Sequence, residues 1–175
     1  MHSIKMIIDL FSHMAWADAV VWRVVLGDPR AEEDAKCKEI MHHFHATQHA
    51  FLRIWQDLTP DGIPELSEFD GMTKLAEWGH GYHEQVRTYL EDKIDPDMNR
   101  PIQLPWSGYI EKHLGKMEED LSLADTMLQV ITHTTHHRGQ VNARLRAIDV
   151  TPELVDYIVW IWVGKPEAVW PEQVS

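Results

Sequence analysis

Apolar side chains along this chain recur at helical spacing, and no long run alternates with period two. That period restricts the fold to packed helices, because a strand needs its apolar residues at every second position. A first helix is predicted from Ile4 to Leu26, ended by Gly27, Asp28 and Pro29. A second runs from about Ala31 to Leu58 and stops before the turn Pro60-Asp61-Gly62. A third fits Asp70 to Asp92 with Asp70 as its N-cap, although Gly79 and Gly81 weaken its middle. A fourth covers about Ser122 to Ile148. A short fifth is expected after Pro152, with Thr151 as N-cap and proline at the first helical position. The stretch Ile94 to Asp120 carries Pro96, Pro101, Pro105, Gly108 and Gly115 and exceeds the usual turn between bundle helices. It is predicted to cross the bundle. The expected fold class is therefore all-α: a four-helix bundle with one long crossover and a short extra C-terminal helix, in one domain over residues 1–175.

Charge narrows the range of partners. Sixteen Lys and Arg face 28 Asp and Glu, for a formal charge of -12. Nucleic-acid binding needs a basic footprint, so it is excluded as an expectation. The lone cysteine, Cys37, forms no internal disulfide, and nothing points to an oxidising compartment. It lies near the start of the second helix, where a thiol pKa can fall, but a passive role is expected. The first residues lack the pattern of a signal peptide. The most apolar stretch, Tyr157 to Val163, is far shorter than the roughly 20 residues a bilayer requires. A cytoplasmic protein without membrane or nucleic-acid partners is expected. Most of the eight Trp and eight Met are assigned to core packing.

Histidine is concentrated in two places. The segment HTTHHRGQ, residues 133 to 140, places His133 and His137 four apart, on one face of a helix. A second segment holds His42, His43, His45 and His49, so the two together carry seven of the 12 histidines. On the second helix, Ile40, His43, Phe44, Thr47, Phe51, Ile54 and Leu58 form an otherwise apolar stripe that should face the core. The opposite side, with Lys38, His42, His45, His49, Arg53 and Gln56, reads as solvated; a small shift of helix phase would select His42 or His45 instead. On the fourth helix, Val130, His133, His137, Val141 and Ile148 share the inward side, while His136 lies with Gln129, Thr132 and Ala143. His43, His133 and His137 are thus predicted to form an inward-facing trio. A single inward histidine is ordinarily a hydrogen-bonded core residue. Three on two helices each need a donor and an acceptor, and one shared metal ion satisfies a nitrogen of each.

These motifs resemble the DinB/YfiT-like metalloenzyme family. HxxxHRGQ, here His133 through Gln140, is its strongest signature. IMHHFHATQHAFL, residues 40 to 52, resembles the family's second-helix pattern and selects His43, with Phe51 as the following aromatic. HMAWAD, His13 to Asp18, resembles the first-helix "naWaN", and TPELVDYIVW, Thr151 to Trp160, resembles the usual ending. The resemblance covers nearly the whole chain. It implies a bundle with one crossover, often a homodimer, and a divalent metal, commonly zinc or nickel, held by His43, His133 and His137. Arg138 and Gln140 match signature positions without a derived role. Gly139 is expected to let a neighbouring helix approach. The family's name refers to DNA-damage induction and implies no DNA binding.

Three histidine ligands leave a coordination position open, the layout of catalytic zinc, whereas structural sites usually close with four. Some family members use low-molecular-weight thiols in transferase or isomerase reactions, and others are regarded as hydrolases. No HExxH occurs, since Thr134 stands where its Glu would be, and no carboxylate lies between Thr126 and Ala147. A carboxylate-poor site favours a thiol-dependent S-transferase or isomerase over a metal-dependent hydrolase. A base from elsewhere would come from His80, His83, Glu84, Tyr109 or His113, all expected at the surface. A di-iron carboxylate bundle needs two ExxH pairs, and only Glu39 and His42 supply one. A non-catalytic metal-binding, stress-related bundle is the alternative from another class. Ile158, Trp160, Ile161 and Trp162 are expected to pack on the bundle, or otherwise to form a dimer contact.

Overall fold

A computed structural model describes residues 3–115 and 120–174. The protein is mostly helical: α1 (Ile4–Leu26), α2 (Pro29–Glu32), α3 (Ala35–Trp55), α4 (Gly71–Leu90), α5 (Ser107–Leu114), α6 (Leu123–Ala147) and α7 (Tyr157–Trp162). The strands β1 (Pro101–Ile102) and β2 (Leu121–Ser122) pair antiparallel, Pro101 opposite Ser122 and Ile102 opposite Leu121. No helix among the described residues is long and apolar enough to cross a membrane.

Side-chain capping sets the main boundaries. The expected second helix is interrupted because Asp34 accepts from the backbone N–H of Cys37 at 2.8 Å and starts α3 afresh. Ser122 and Asp125 form a reciprocal capping box at the start of α6. Asp70 stands at the N-cap of α4 but makes no capping hydrogen bond. The fifth helix begins at Tyr157, not after Pro152. The carbonyl of Val155 instead bonds the imidazole Nε2 of His13 at 2.9 Å, which holds this segment against α1 in a non-helical path.

Contacts join α3 to α6, α6 to α1, α1 to α4 and α4 to α3. Asp34 pairs with Arg144, Gln48 with Thr134 and Trp55 with Thr126, so α3 and α6 run antiparallel. His49 bonds the Trp78 carbonyl and Tyr89 bonds the Trp55 carbonyl, so α3 and α4 run parallel. Parallel neighbours require a connection that travels back along the helix. Residues 56–70 do this: Pro64 reaches His42 and Phe69 reaches Lys38 through their carbonyls. The long return is therefore this segment. Of the stretch expected to cross, Ile94 to Asp120, the part from Asp95 to Arg100 stays at one end of the helices, Leu104 and Trp106 lie beside the α3–α6 seam, and residues 116–119 lie outside the described residues. Asp95 bonds the N–H of Ile4, and Arg100 bonds Asp57 and the Trp55 carbonyl, all at that end.

Two large apolar clusters fill most of the described interior, and a smaller third joins Trp16, Ala17 and Val20 of α1 to Trp160. One large cluster gathers Phe11, Phe51, Trp55, Val86 and Leu123 toward the Arg100 end. The other gathers Trp22, Met41, Phe44, Leu75 and Leu145 toward the opposite end. Between them lies a polar layer of Asp18, His45, Gln48, His83, Thr134 and Arg138, all buried.

Candidate metal centre

The structure brings His43, His133 and His137 together across the α3–α6 seam, with one ligand atom from each lying within 4.8 Å of the others. The four-residue spacing on α6 puts the Nε2 atoms of His133 and His137 3.1 Å apart. The His43 ring centroid is 4.5 Å from that of His137 and 5.2 Å from that of His133. With metal–nitrogen bonds of about 2.0–2.1 Å, two imidazole nitrogens on a tetrahedral ion sit roughly 3.3 Å apart. The α6 pair matches that separation, and His43 lies on the exposed rim.

Gln140 defines one tautomer. Its Oε1 lies 2.8 Å from His137 Nδ1, so Nδ1–H donates to the amide oxygen and Nε2 keeps its lone pair for a ligand. The amide nitrogen of Gln140 donates to His136 Nε2 at 3.1 Å. Burial, followed by the neighbouring His137 and His43 rings, pushes the His133 pKa down to about 4. At neutral pH His133 is therefore uncharged, the form that binds metal.

The burial expectations need correction. His43 is exposed, and His133 and His137 are half-buried, so the trio lies at the surface of the seam and not in the core. His45 is fully buried and His49 is 9% exposed, although both were expected on the solvated side; Leu58, expected inward, is 50% exposed beyond the end of α3. The cause is the number of neighbours. Helix α3 packs against both α4 and α6, so its buried arc is wider than one stripe. Met41, Leu52 and Trp55, left off the expected stripe, are the apolar residues that would have turned the inward face toward His45 and Gln48.

His45 belongs to the polar layer. Trp22 Nε1–H donates to His45 Nε2 at 3.0 Å, so His45 Nδ1–H donates to Gln48 Oε1 at 2.7 Å. The Gln48 amide nitrogen then donates to Asp18 at 3.1 Å and to Thr134 at 3.2 Å. Arg138 Nη1 donates to Asp18 Oδ1 at 2.6 Å, and His83 Nε2–H donates to Asp18 Oδ2 at 3.0 Å. Burial alone would raise the Asp18 pKa, but Arg138 and the His83 hydrogen bond outweigh it and hold the carboxyl well below the usual carboxylate range. Arg138 thus ties α6 to α1 one residue after His137. Gly139 has nothing within 4 Å of where a Cβ would stand and admits no neighbouring helix. Gly79 does have such a role, because a Cβ there would meet the His45 ring at 2.5 Å.

Among the described residues, no hydrogen bond or ring contact links the triad to the suggested bases. His83 is buried on Asp18, His80 lies against Trp170, and Tyr109 and His113 contact each other on α5. Cys37 is buried, and burial, then the Asp34 charge, pushes its thiol up to about 12. A groove of about 420 Å³ opens beside His133, between the α3–α6 seam and residues Leu104, Trp106 and Leu121. Other hollows, of about 180 and 610 Å³, lie along α1 and α4 with His83 in their walls. Comparison with protein-family models found no matching family, and a search of curated proteins found no matching relative.

Proposed function

We propose that this chain is a DinB-like four-helix bundle that binds one divalent transition metal ion, zinc or nickel, through His43, His133 and His137. The reading extends to an enzyme, a thiol-dependent S-transferase or isomerase acting on small molecules. The observation that carries it is the convergence of three neutral-capable imidazoles from two antiparallel helices onto one exposed point. The Gln140 hydrogen bond that orients His137 is the outer-shell support expected of a metal ligand. The HxxxHRGQ signature supports the family reading, and the long α3–α4 return loop is in keeping with a bundle that has a crossover, although at another place than the sequence suggested.

The cation would supply Lewis acidity at an open coordination position and lower the pKa of a thiol or water bound there. The chain's own part is to hold the imidazoles in the ligating tautomer and to leave the rim open. Among the described residues the three histidines hydrogen-bond to no carboxylate, and Glu39 acts on His43 only through its charge, an arrangement that favours thiol chemistry over water activation. Asp125, in the groove that His133 lines, is the observation favouring a hydrolase as second reading. Leu154, Ile158, Ile161 and Trp162 remain exposed around the buried Trp160, which supports a homodimer through this face.

Native mass spectrometry of protein purified without chelator tests both parts. The expected result is one zinc or nickel per chain, in a dimer. A His133→Ala, His137→Ala variant is expected to lose the metal while its far-ultraviolet circular dichroism persists. Metal-free protein after supplementation with zinc and nickel would return the trio to ordinary surface histidines.

A further inference from the structure

The groove beside His133 is built from both helices of the metal site and from the segments flanking α5. On α6, Asp125, Gln129 and His133 follow at intervals of four residues, one above the other. On α3, Thr47 and Phe51 continue the line that begins at His43. Because α3 and α6 are antiparallel, the two lines run side by side away from the triad, for about 12 Å at 1.5 Å per residue.

Apolar surface predominates in this wall, with Phe51, Leu104, Trp106 and Leu121 among its nine lining residues. Trp106 meets Phe51 edge-on, with centroids 5.5 Å apart, so the aromatic floor is fixed by packing. The polar groups in the groove are mostly committed to local structure. Thr47 bonds the His43 carbonyl, Thr126 accepts from Trp55 and donates to the Leu123 carbonyl, and Asp125 caps α6. The volume, about 420 Å³, lies within the range of small-molecule sites, roughly 300–1,000 Å³. An apolar trough with little uncommitted polar surface, opening at one end on three imidazoles, selects a ligand that is apolar along its body and polar at one end.

We propose that this groove is the substrate site, and that it takes small molecules with an aryl or branched-alkyl body whose donor head reaches the His43–His133–His137 point. This rests on the metal-site reading above. It adds the class of substrate: the groove recognises an apolar acceptor or thiol and not a sugar, a nucleotide or a polyanion. Gln129, exposed at mid-groove, is the position from which the trough can be filled without disturbing the core.

Two hydroxamates separate the contributions. Acetohydroxamate carries only a chelating head, and 3-phenylpropanohydroxamate carries the same head with an aryl body. Each is titrated calorimetrically into zinc-loaded protein. The expected result is that both bind, the phenyl compound about tenfold or more tighter from burial of its ring. Gln129→Trp and Leu104→Ala are each expected to abolish that gain and leave acetohydroxamate unchanged. Equal affinity of the two compounds, or a gain that survives both variants, overturns the groove and leaves the metal site standing. Binding of neither compound to zinc-loaded protein overturns the open metal site and the groove with it.

Discussion

At the scale of single residues, the site depends on which nitrogen of each imidazole carries a proton. Gln140 decides this for His137, because its amide oxygen accepts only from a protonated Nδ1. Gln140→Ala is expected to weaken metal binding about 10–100-fold, the usual cost of losing an outer-shell partner. Competition with a chromophoric chelator measures it; unchanged affinity would make the Gln140 contact incidental. The histidine cluster itself was legible in the sequence: helical spacing selected His43, His133 and His137, the HxxxHRGQ and second-helix resemblances selected the same three, and the structure brings them together. Their burial was not legible. His43 was selected as a core residue and lies on the rim, while His45 and His49 were assigned to solvent and lie inside. A helical wheel places residues around an axis but does not state how many neighbours the helix has. The roles of Arg138 and Gln140 were equally hidden, because one partner, Asp18, comes from the far end of the sequence and the other contact depends on a rotamer.

Among the elements, α1 and α6 were legible nearly to their ends, because capping residues and long apolar periodicity mark them locally. The break before α3 and the late start of α7 were less legible. The first depends on one aspartate side chain turning inward at its N-cap, and the second on a carbonyl taken by His13 from another helix. The glycines of α4 and α6 show the same division. Both look like weak points in a helix, yet Gly79 faces the buried His45 ring and Gly139 faces open space. Gly79→Ala is expected to cost about 1–3 kcal/mol through overpacking of a filled interior. Gly139→Ala is expected to stabilise by about 0.5–1 kcal/mol, as alanine lowers the entropy of the unfolded chain and favours the helix. Urea unfolding midpoints of the two variants check both signs. Stabilisation at position 79 would show that α4 does not press on His45.

For the molecule as a whole, the histidines whose charged form burial penalises shape the response to acid, His45 and His49 on α3 among them. Burial pushes the His45 pKa down to about 3 and that of His49 down to about 4, both from 6.5. His45 resists protonation for a geometric reason too, since its Nε2 lone pair already accepts from Trp22. A base with a depressed native pKa contributes its full stability above pH 6.5. Below that, the unfolded chain takes up a proton that the native protein refuses, so stability falls as pH falls toward 4, by about 1.4 kcal/mol per pH unit for each such histidine. Asp18 adds nothing in this window, because its stabilisation is lost only below the ordinary carboxylate range. Metal-free protein is expected to lose stability steeply between pH 6.5 and 4.5, and His49→Gln to lose it less steeply. Parallel slopes for the two proteins in urea titrations would remove His49 from the account.

The antiparallel pairing of α3 with α6 has a consequence for the order in which the protein is made. His43 is synthesised early and must wait for half the chain before His133 and His137 exist. The return loop, α4 and the α5 region all intervene. Closing so long a loop carries an entropic cost that the α3–α6 contacts repay only once α6 docks. If the proposed ion is held by all three histidines, its capture would report that the last long helix has found its place, and metal loading would be a late event in the maturation of each molecule.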